Sequence, residues 1–315
     1  MYLCDCHCDT LMHFFPHPEL SLYENRLHLD IRRQLRLGGG LQVYAIYIPT
    51  KEVRRHNSLH YTLHVMDIYH RELARARQTG LDIAEIYTPE DVRTARKHQS
   101  AALLSIEDGS AFEGSLEILR MCYRLGVRMT TLTWNHQNEL GAGIAEEDSK
   151  GGLTRFGRQA VREMNRLGMA ADVSHAAPQT FWDVLEVSEK PVIATHSNAK
   201  SCCSHPRNLT DEQIKALAAA GGIMGITFAR RFLEEDGIGA GLDSVCRHIG
   251  HVLDLLGSDE YLAIGSDFDG TDLPDDMAGI EDTARLADRL CREYSQETAE
   301  KIFHKNAMRF LASVL

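Results

Sequence analysis

The sequence predicts an α/β protein built as a (β/α)8 TIM barrel, and two observations carry that prediction. Eight short apolar segments with β-branched content alternate with longer amphipathic stretches along the 315 residues. Such alternation requires parallel strands joined by crossover helices, and eight repeats favour a closed barrel over an open sheet. No GxGxxG fingerprint opens the first unit, which removes the usual reason to prefer a doubly wound dinucleotide-binding sheet.

In chain order, the first two strands are expected at 2–6 and 41–47, followed by a helix at 57–78 with apolar residues three and four apart. A long interval before the third strand, 101–106, holds residues 82–88 as an extra short strand. A helix at 115–125 leads into the fourth strand at 128–133. Beyond it, Gly141, Gly143, Gly151 and Gly152 mark a long loop with an acidic run at 146–148, suited to gating a site or merely to connecting. The helix at 155–167 precedes the fifth strand, 169–173, and the sixth follows at 191–195. Helices at 211–220 and 242–256 flank the seventh strand, 222–228, and the eighth lies at 261–266. Residues 281–315 form two terminal helices. With no Pro-, Gly- or Ser-rich linker and no internal repeat, residues 1–315 are expected to form a single domain.

Composition narrows the partners. Hydrophobic residues at 43% and charged residues at 25% are ordinary for a globular enzyme. With 34 basic against 45 acidic residues the net charge is −11, which disfavours nucleic acid and anionic membranes, since both demand clustered cations. No apolar run reaches the roughly 18 residues that span a bilayer, and the start lacks a basic segment followed by an apolar one, so a cytoplasmic location is expected. The eight cysteines are scattered, which points to free thiols, and the Asn208 sequon is then silent.

Chemistry concentrates at strand ends. The first strand closes on Asp5-Cys6-His7-Cys8-Asp9; alternation would turn Asp5, His7 and Asp9 one way and Cys6 and Cys8 into the wall behind, where Cys packs as a small hydrophobe. Alone, HxD is weak, and a lone His or Glu is more often a satisfied core residue. Yet Glu107-Asp108, His175, His196 and Asp267-Phe268-Asp269 recur at four further strand ends, the end where barrel enzymes assemble their sites. Three His and two carboxylates exceed the needs of one tetrahedral zinc with an open position, so two metals sharing a bridging carboxylate fit better.

These residues carry a resemblance that covers nearly the whole chain. The segments DCHCDTL, LLSIEDG, TLTWNHQNELGAG, GGLTRFGRQAVREMNRLGMAADVSH, VIATHSNAKSCCSHPRNLTDEQIKALAAAGGIMGI and IGSDFDG are similar, in order and spacing, to those of the renal (membrane) dipeptidases. These are the M19 zinc peptidases, within the metal-dependent hydrolase (amidohydrolase-like) barrels. The resemblance implies two Zn2+ per chain, with His7 and Asp9 on one, His175 and His196 on the other, and Glu107 bridging both and so part of the catalytic set. It implies that Arg207 binds the free carboxylate of a dipeptide, chemistry suited to a planar guanidinium. Asp267 resembles the acid/base residue, able to move a proton or to hold the substrate's ammonium; Asp269 is next in line, with a turn role equally open. A homodimer and tolerance of a D residue at the second substrate position are also implied. The chain departs from animal members at Leu132-Thr133-Trp134, where they carry LTH. The oxyanion-stabilising place of that His then falls to His136, Asn138 or Trp134.

The resulting expectation is a metallo-dipeptidase acting on a small dipeptide. Rival readings are a two-metal enzyme for another small amide or lactone, such as an N-acyl amino acid, and a barrel that only binds; the complete ligand set argues against the last. His56, His60 and His64, four residues apart, are expected as a polar surface stripe rather than a further metal site. Cys202-Cys203 is expected to line a loop, since neighbouring cysteines do not readily bridge.

Overall fold

The computed structural model describes residues 1–49 and 58–315. Its strands are β1 (Leu3–Cys8), β2 (Gly40–Tyr47), β3 (Ile83–Glu85), β4 (Ser100–Glu107), β5 (Val127–Thr131), β6 (Ala170–Asp172), β7 (Ile193–Ser197), β8 (Ile223–Ile226) and β9 (Leu262–Ile264). All pair in parallel, in the order β2-β1-β9-β8-β7-β6-β5-β4, and β4 returns to β2 through seven register pairs from Leu41↔Ala101 to Tyr47↔Glu107. The barrel is therefore closed with eight strands. β3 is the extra strand, lying on β4 at Ser100–Ala102, below the level at which β5 joins at Leu104.

The helices are α1 (Ile31–Arg36), α2 (Ser58–Gln78), α3 (Pro89–Thr94), α4 (Leu116–Arg124), α5 (Arg155–Leu167), α6 (Pro178–Val187), α7 (Asp211–Ala219), α8 (Arg230–Leu233), α9 (Leu242–Leu256), α10 (Thr283–Glu293), α11 (Gln296–Glu300) and α12 (Asn306–Val314). Expected and observed bounds agree within the usual scatter at helix ends. The second terminal helix carries a π-helical turn, Lys301–Lys305, between α11 and α12. Caps account for several boundaries. Thr154 accepts from the Gly157 N–H at the start of α5, and Gly168 ends that helix at φ 77°, a left-handed conformation that suits glycine. Thr210 and Gln213 form a capping box at α7, which fixes the direction of the preceding loop.

Two apolar layers hold the barrel. Inside it pack Cys4, Cys6, Leu41, Val43, Leu103, Met129, Ile193 and Ile223, closed at the strands' N-terminal end by Phe310, Leu311 and Val314 of α12. Outside it, Leu104, Ile106, Val173, Ala194 and Ile264 meet helix residues such as Val65, Leu119, Val161, Leu217 and Leu286. With one mouth plugged, the C-terminal mouth is left for a site. No helix of the described residues is long and apolar enough to cross a membrane.

One expectation fails here. The register slips between Asp5 and Cys8, and an irregularity of this kind breaks side-chain alternation. Cys6 accordingly joins the barrel interior while Cys8 joins the helix-facing layer, so the two do not share a wall. Asp5 serves the strand rather than the mouth, accepting from Ser266 N (2.8 Å), Ser266 Oγ (2.6 Å) and Gln42 Nε2 (3.0 Å). All eight cysteines are free, and Asn208 is buried, its amide donating to Cys203 O and Phe232 O. His60 and His64 are exposed on α2; His56 and the expected first helical residue, Asn57, lie outside the described residues.

Candidate metal centre

The five expected ligands come from four strand ends, and the barrel's curvature turns them to a common point. β1 delivers His7 and, just beyond it, Asp9; β4 ends on Glu107; β7 carries His196; His175 follows β6 in the left-handed conformation at φ 66°. The Glu107 carboxylate divides between two groups: Oε1 lies 3.1 Å from His175 Nε2 and 3.6 Å from His196 Nε2, while Oε2 lies 3.8 Å from His7 Nε2. His7 Nε2 is also 3.4 Å from Asp9 Oδ2 and 4.0 Å from Asp267 Oδ1. Ligand atoms of His7, Glu107 and His196, and again of His7, Asp9 and Asp267, gather within 4.8 Å of one another.

The donor set fits a bound metal on three grounds. His175 Nδ1 meets Asn135 Oδ1 at 2.7 Å, and His196 Nδ1 meets the Thr195 hydroxyl at 2.8 Å. With protons on those nitrogens, the two Nε2 atoms, 2.9 Å apart, are both lone pairs, and a shared cation resolves that contact. Asp9 Oδ1 is buried without a hydrogen-bond partner, a costly state unless an ion completes it. The electrostatics agree. Burial opposes charge on His7, but Asp9, Glu107 and Asp267 outweigh it and push the imidazole up to about 10. Burial, then the Asp9 charge, pushes Glu107 well above the usual carboxylate range. This side of the site demands positive charge. Burial, with Arg207 and His7 adding to it, keeps His175 and His196 neutral, the form that ligates.

The remaining expected residues separate by position. Asp267, at φ 62°, faces the cleft, and burial followed by the Asp9 charge pushes its carboxyl up to about 7. Asp269 is engaged elsewhere: it accepts from Thr10 Oγ1 and from the His28 N–H, each at 2.5 Å, which ties the segment after β9 to the segment between β1 and α1. Arg207 is buried beside His196; its Nη2 donates to His196 O at 3.1 Å, its guanidinium lies 5.3 Å from the Phe232 ring centre, and its Nε has no partner. It lines a side cavity of about 110 Å³ that shares His175 as a wall with the main cleft.

The cleft itself, of about 260 Å³, is lined by Asp9, Glu107, His175 and Asp267 together with Met12, Tyr47, Trp134, Asn135, Phe232, Gly270 and Thr271. Of the three residues weighed for the oxyanion place, only Trp134 lines it. His136 points away, 3.3 Å from Glu146. Asn138 is a buried clamp, its amide donating to Asp108 Oδ1 (2.7 Å) and Leu132 O (2.8 Å) while its Oδ1 accepts from Leu140 N and Gly141 N. Asn135 and Tyr47 were not singled out from the sequence. Asn135 carried a signal, standing two residues beyond the expected strand end beside a Trp; Tyr47 carried one too, as the last residue of an expected strand.

Comparison with known proteins converges on one family. Residues 1–314 match the membrane dipeptidases, peptidase family M19. An uncharacterized protein in the pqqA 5' region of Klebsiella pneumoniae is 35% identical over 71% of this chain and 86% of its own length. Dipeptidase verJ of Clonostachys rogersoniana is 33% identical over 91% of this chain and 76% of its own. Among solved structures, a family M19 dipeptidase superposes with a TM-score of 0.90 at 27% identity, covering 100% of this chain and 98% of that one. A metallopeptidase from Rhodobacter sphaeroides, liganded with a phosphinate mimic of L-Ala-D-Ala, superposes with a TM-score of 0.88 at 26% identity over 100% and 99%. With its strand-end carboxylates and imidazoles in one cluster, the chain belongs to the membrane dipeptidase family, the M19 metallopeptidases.

Proposed function

We propose that this chain is a two-zinc dipeptidase, with His7 and Asp9 holding one ion, His175 and His196 the other, and Glu107 shared between them. The observation that carries this reading is the divided Glu107 carboxylate, one oxygen toward each histidine group. When bound, two divalent ions supply a water that deprotonates near neutral pH and polarise the attacked carbonyl.

The chain's own residues account for the rest. Asp267, opening onto the cleft beside Asp9, takes the proton from the attacking water at its carboxylate and returns it to the leaving amine. Arg207 receives the free carboxylate of the second residue, for which its unpartnered Nε is available. Tyr47, Trp134 and Phe232 wall the cleft, limiting the water around the reacting groups. Tolerance of a D residue at the second position belongs to the same reading, supported by the L-Ala-D-Ala mimic held by the Rhodobacter sphaeroides relative. The expected assembly is a cytoplasmic homodimer.

The test is hydrolysis of L,L and L,D dipeptides by protein stripped with chelator and reloaded with zinc. Activity should vanish on stripping and return with zinc; zinc-loaded protein that cleaves no dipeptide on a broad panel contradicts the reading.

A further inference from the structure

Beneath the metal centre lies a buried carboxylate that touches no expected metal-binding atom. Asp172 ends β6, fully buried, and gathers four donors from β5, β7 and the turn that follows β6. Its Oδ1 accepts from Ser174 N and Thr195 N, both at 2.9 Å. Its Oδ2 accepts from Thr131 Oγ1 at 2.5 Å and Thr195 Oγ1 at 2.6 Å.

The last of these bonds matters for His196. A threonine hydroxyl has one proton to give, and the nearest strong acceptor takes it: the Asp172 carboxylate. Only lone pairs of Thr195 Oγ1 then remain for His196 Nδ1, 2.8 Å away. That nitrogen must therefore carry the ring proton, and the lone pair is left on Nε2, the atom that faces Glu107 and His175. The geometry has little slack. A Cβ on Gly225 or Gly265 would stand 2.0 Å or 1.6 Å from the Thr195 carbonyl oxygen, so backbone of β8 and of the segment just after β9 presses directly on that residue. Ser174 Oγ accepts from the His196 N–H at 3.1 Å, fixing the histidine backbone as well.

We propose that Asp172, acting through Thr195, is a positioning residue that holds His196 as its Nδ1–H tautomer and so sets how tightly the second metal position is held. The inference rests on the two-ion reading above and adds to it a residue pair outside the ligand set. Outer partners of this kind commonly change metal affinity by about ten- to a hundredfold when removed. Thr131 supplies the contrast, because it bonds the same Asp172 oxygen without touching His196.

The experiment is chelator competition on the zinc-loaded protein, reading the affinity of each metal position together with the thermal midpoint. In Thr195→Val one position should weaken by about ten- to a hundredfold while the other stays, and Thr195→Ser, which keeps the hydroxyl, should restore it. Thr131→Val should lower the midpoint and leave both affinities in place. Asp172→Asn offers an N–H where the carboxylate accepted and should reproduce the loss, so the comparison survives if Thr195→Val does not fold. Unchanged affinity in Thr195→Val or Asp172→Asn, or an equal loss in Thr131→Val, overturns the relay. Wild-type protein that holds fewer than two zinc ions overturns the two-ion reading itself, a result read before any variant is compared.

Discussion

Asp9 rests directly on the backbone of Gly270: a Cβ at position 270 would stand 2.0 Å from Asp9 Oδ2 and 2.6 Å from Asp267 Oδ1. Glycine here is a requirement of space, since two carboxylates occupy the volume any side chain would need. Gly270→Ala is expected to displace both, and misplacement by about 1 Å can cost about a hundredfold in rate. Steady-state kinetics with an unchanged far-ultraviolet circular dichroism spectrum check this; wild-type turnover would show that the carboxylates tolerate the shift.

Arg207 should govern recognition of the substrate's free end. Losing a hydrogen bond to a charged group costs about 1.5–3 kcal/mol, so Arg207→Ala should lower kcat/KM for dipeptides by roughly 10- to 150-fold. Dipeptide amides, which lack the carboxylate, should lose much less. Equal losses on both substrates would assign Arg207 to holding the His196 carbonyl alone.

The segment after β5 offers a contrast between neighbours. Asn135 accepts from His175 Nδ1 in the ligating tautomer, whereas His136 faces Glu146 outside the cleft. Asn135→Ala should weaken zinc binding and activity by about tenfold or more, while His136→Ala should stay within about twofold on both measures, in line with a surface substitution. Asn138→Ala should act on stability, by about 1–3 kcal/mol, because it removes a buried clamp; denaturant unfolding reads that difference.

Glu85 predicts a pH dependence of stability away from the site. Burial opposes its charge, but His70, Tyr87 and Arg77 outweigh it and hold the carboxyl down at about 2, against an ordinary value of 4.5. The folded value lies below the unfolded one. The stabilisation is therefore complete above pH 4.5 and is lost as pH falls toward 2. The difference in thermal midpoint between wild type and Glu85→Gln should be largest above about pH 5 and shrink steadily below it. A pH-independent difference would mean that the charge of Glu85 contributes nothing.

The barrel was legible because its strands fall in short apolar segments and its helices keep three- and four-residue apolar spacing. The candidate site was legible because five strand ends carried ligand-type residues in one chain, and the structure brings several of them into one cluster. The register slip at Asp5–Cys8 was not legible: it depends on how β1 meets β2, and nothing local to DCHCD marks it. The roles of Trp134, Asn135, His136 and Asn138 were hidden for a related reason. β5 ends at Thr131, two residues before the expected end, and each residue beyond takes its direction from a loop held by Asn138 and Asp108. Thr195 and Asp172 were visible only as strand residues, since a hydrogen-bond chain between β6 and β7 leaves no periodic trace in either segment.

Glu107 is the residue on which the central claim turns. Zinc content of Glu107→Gln, dialysed beside wild type at equal free zinc and assayed on the same dipeptide, tests it most directly. The account predicts two ions per wild-type chain, at most one in the variant, and a turnover lower by about a hundredfold or more in a protein whose fold is intact. Two ions and wild-type turnover in Glu107→Gln would contradict it.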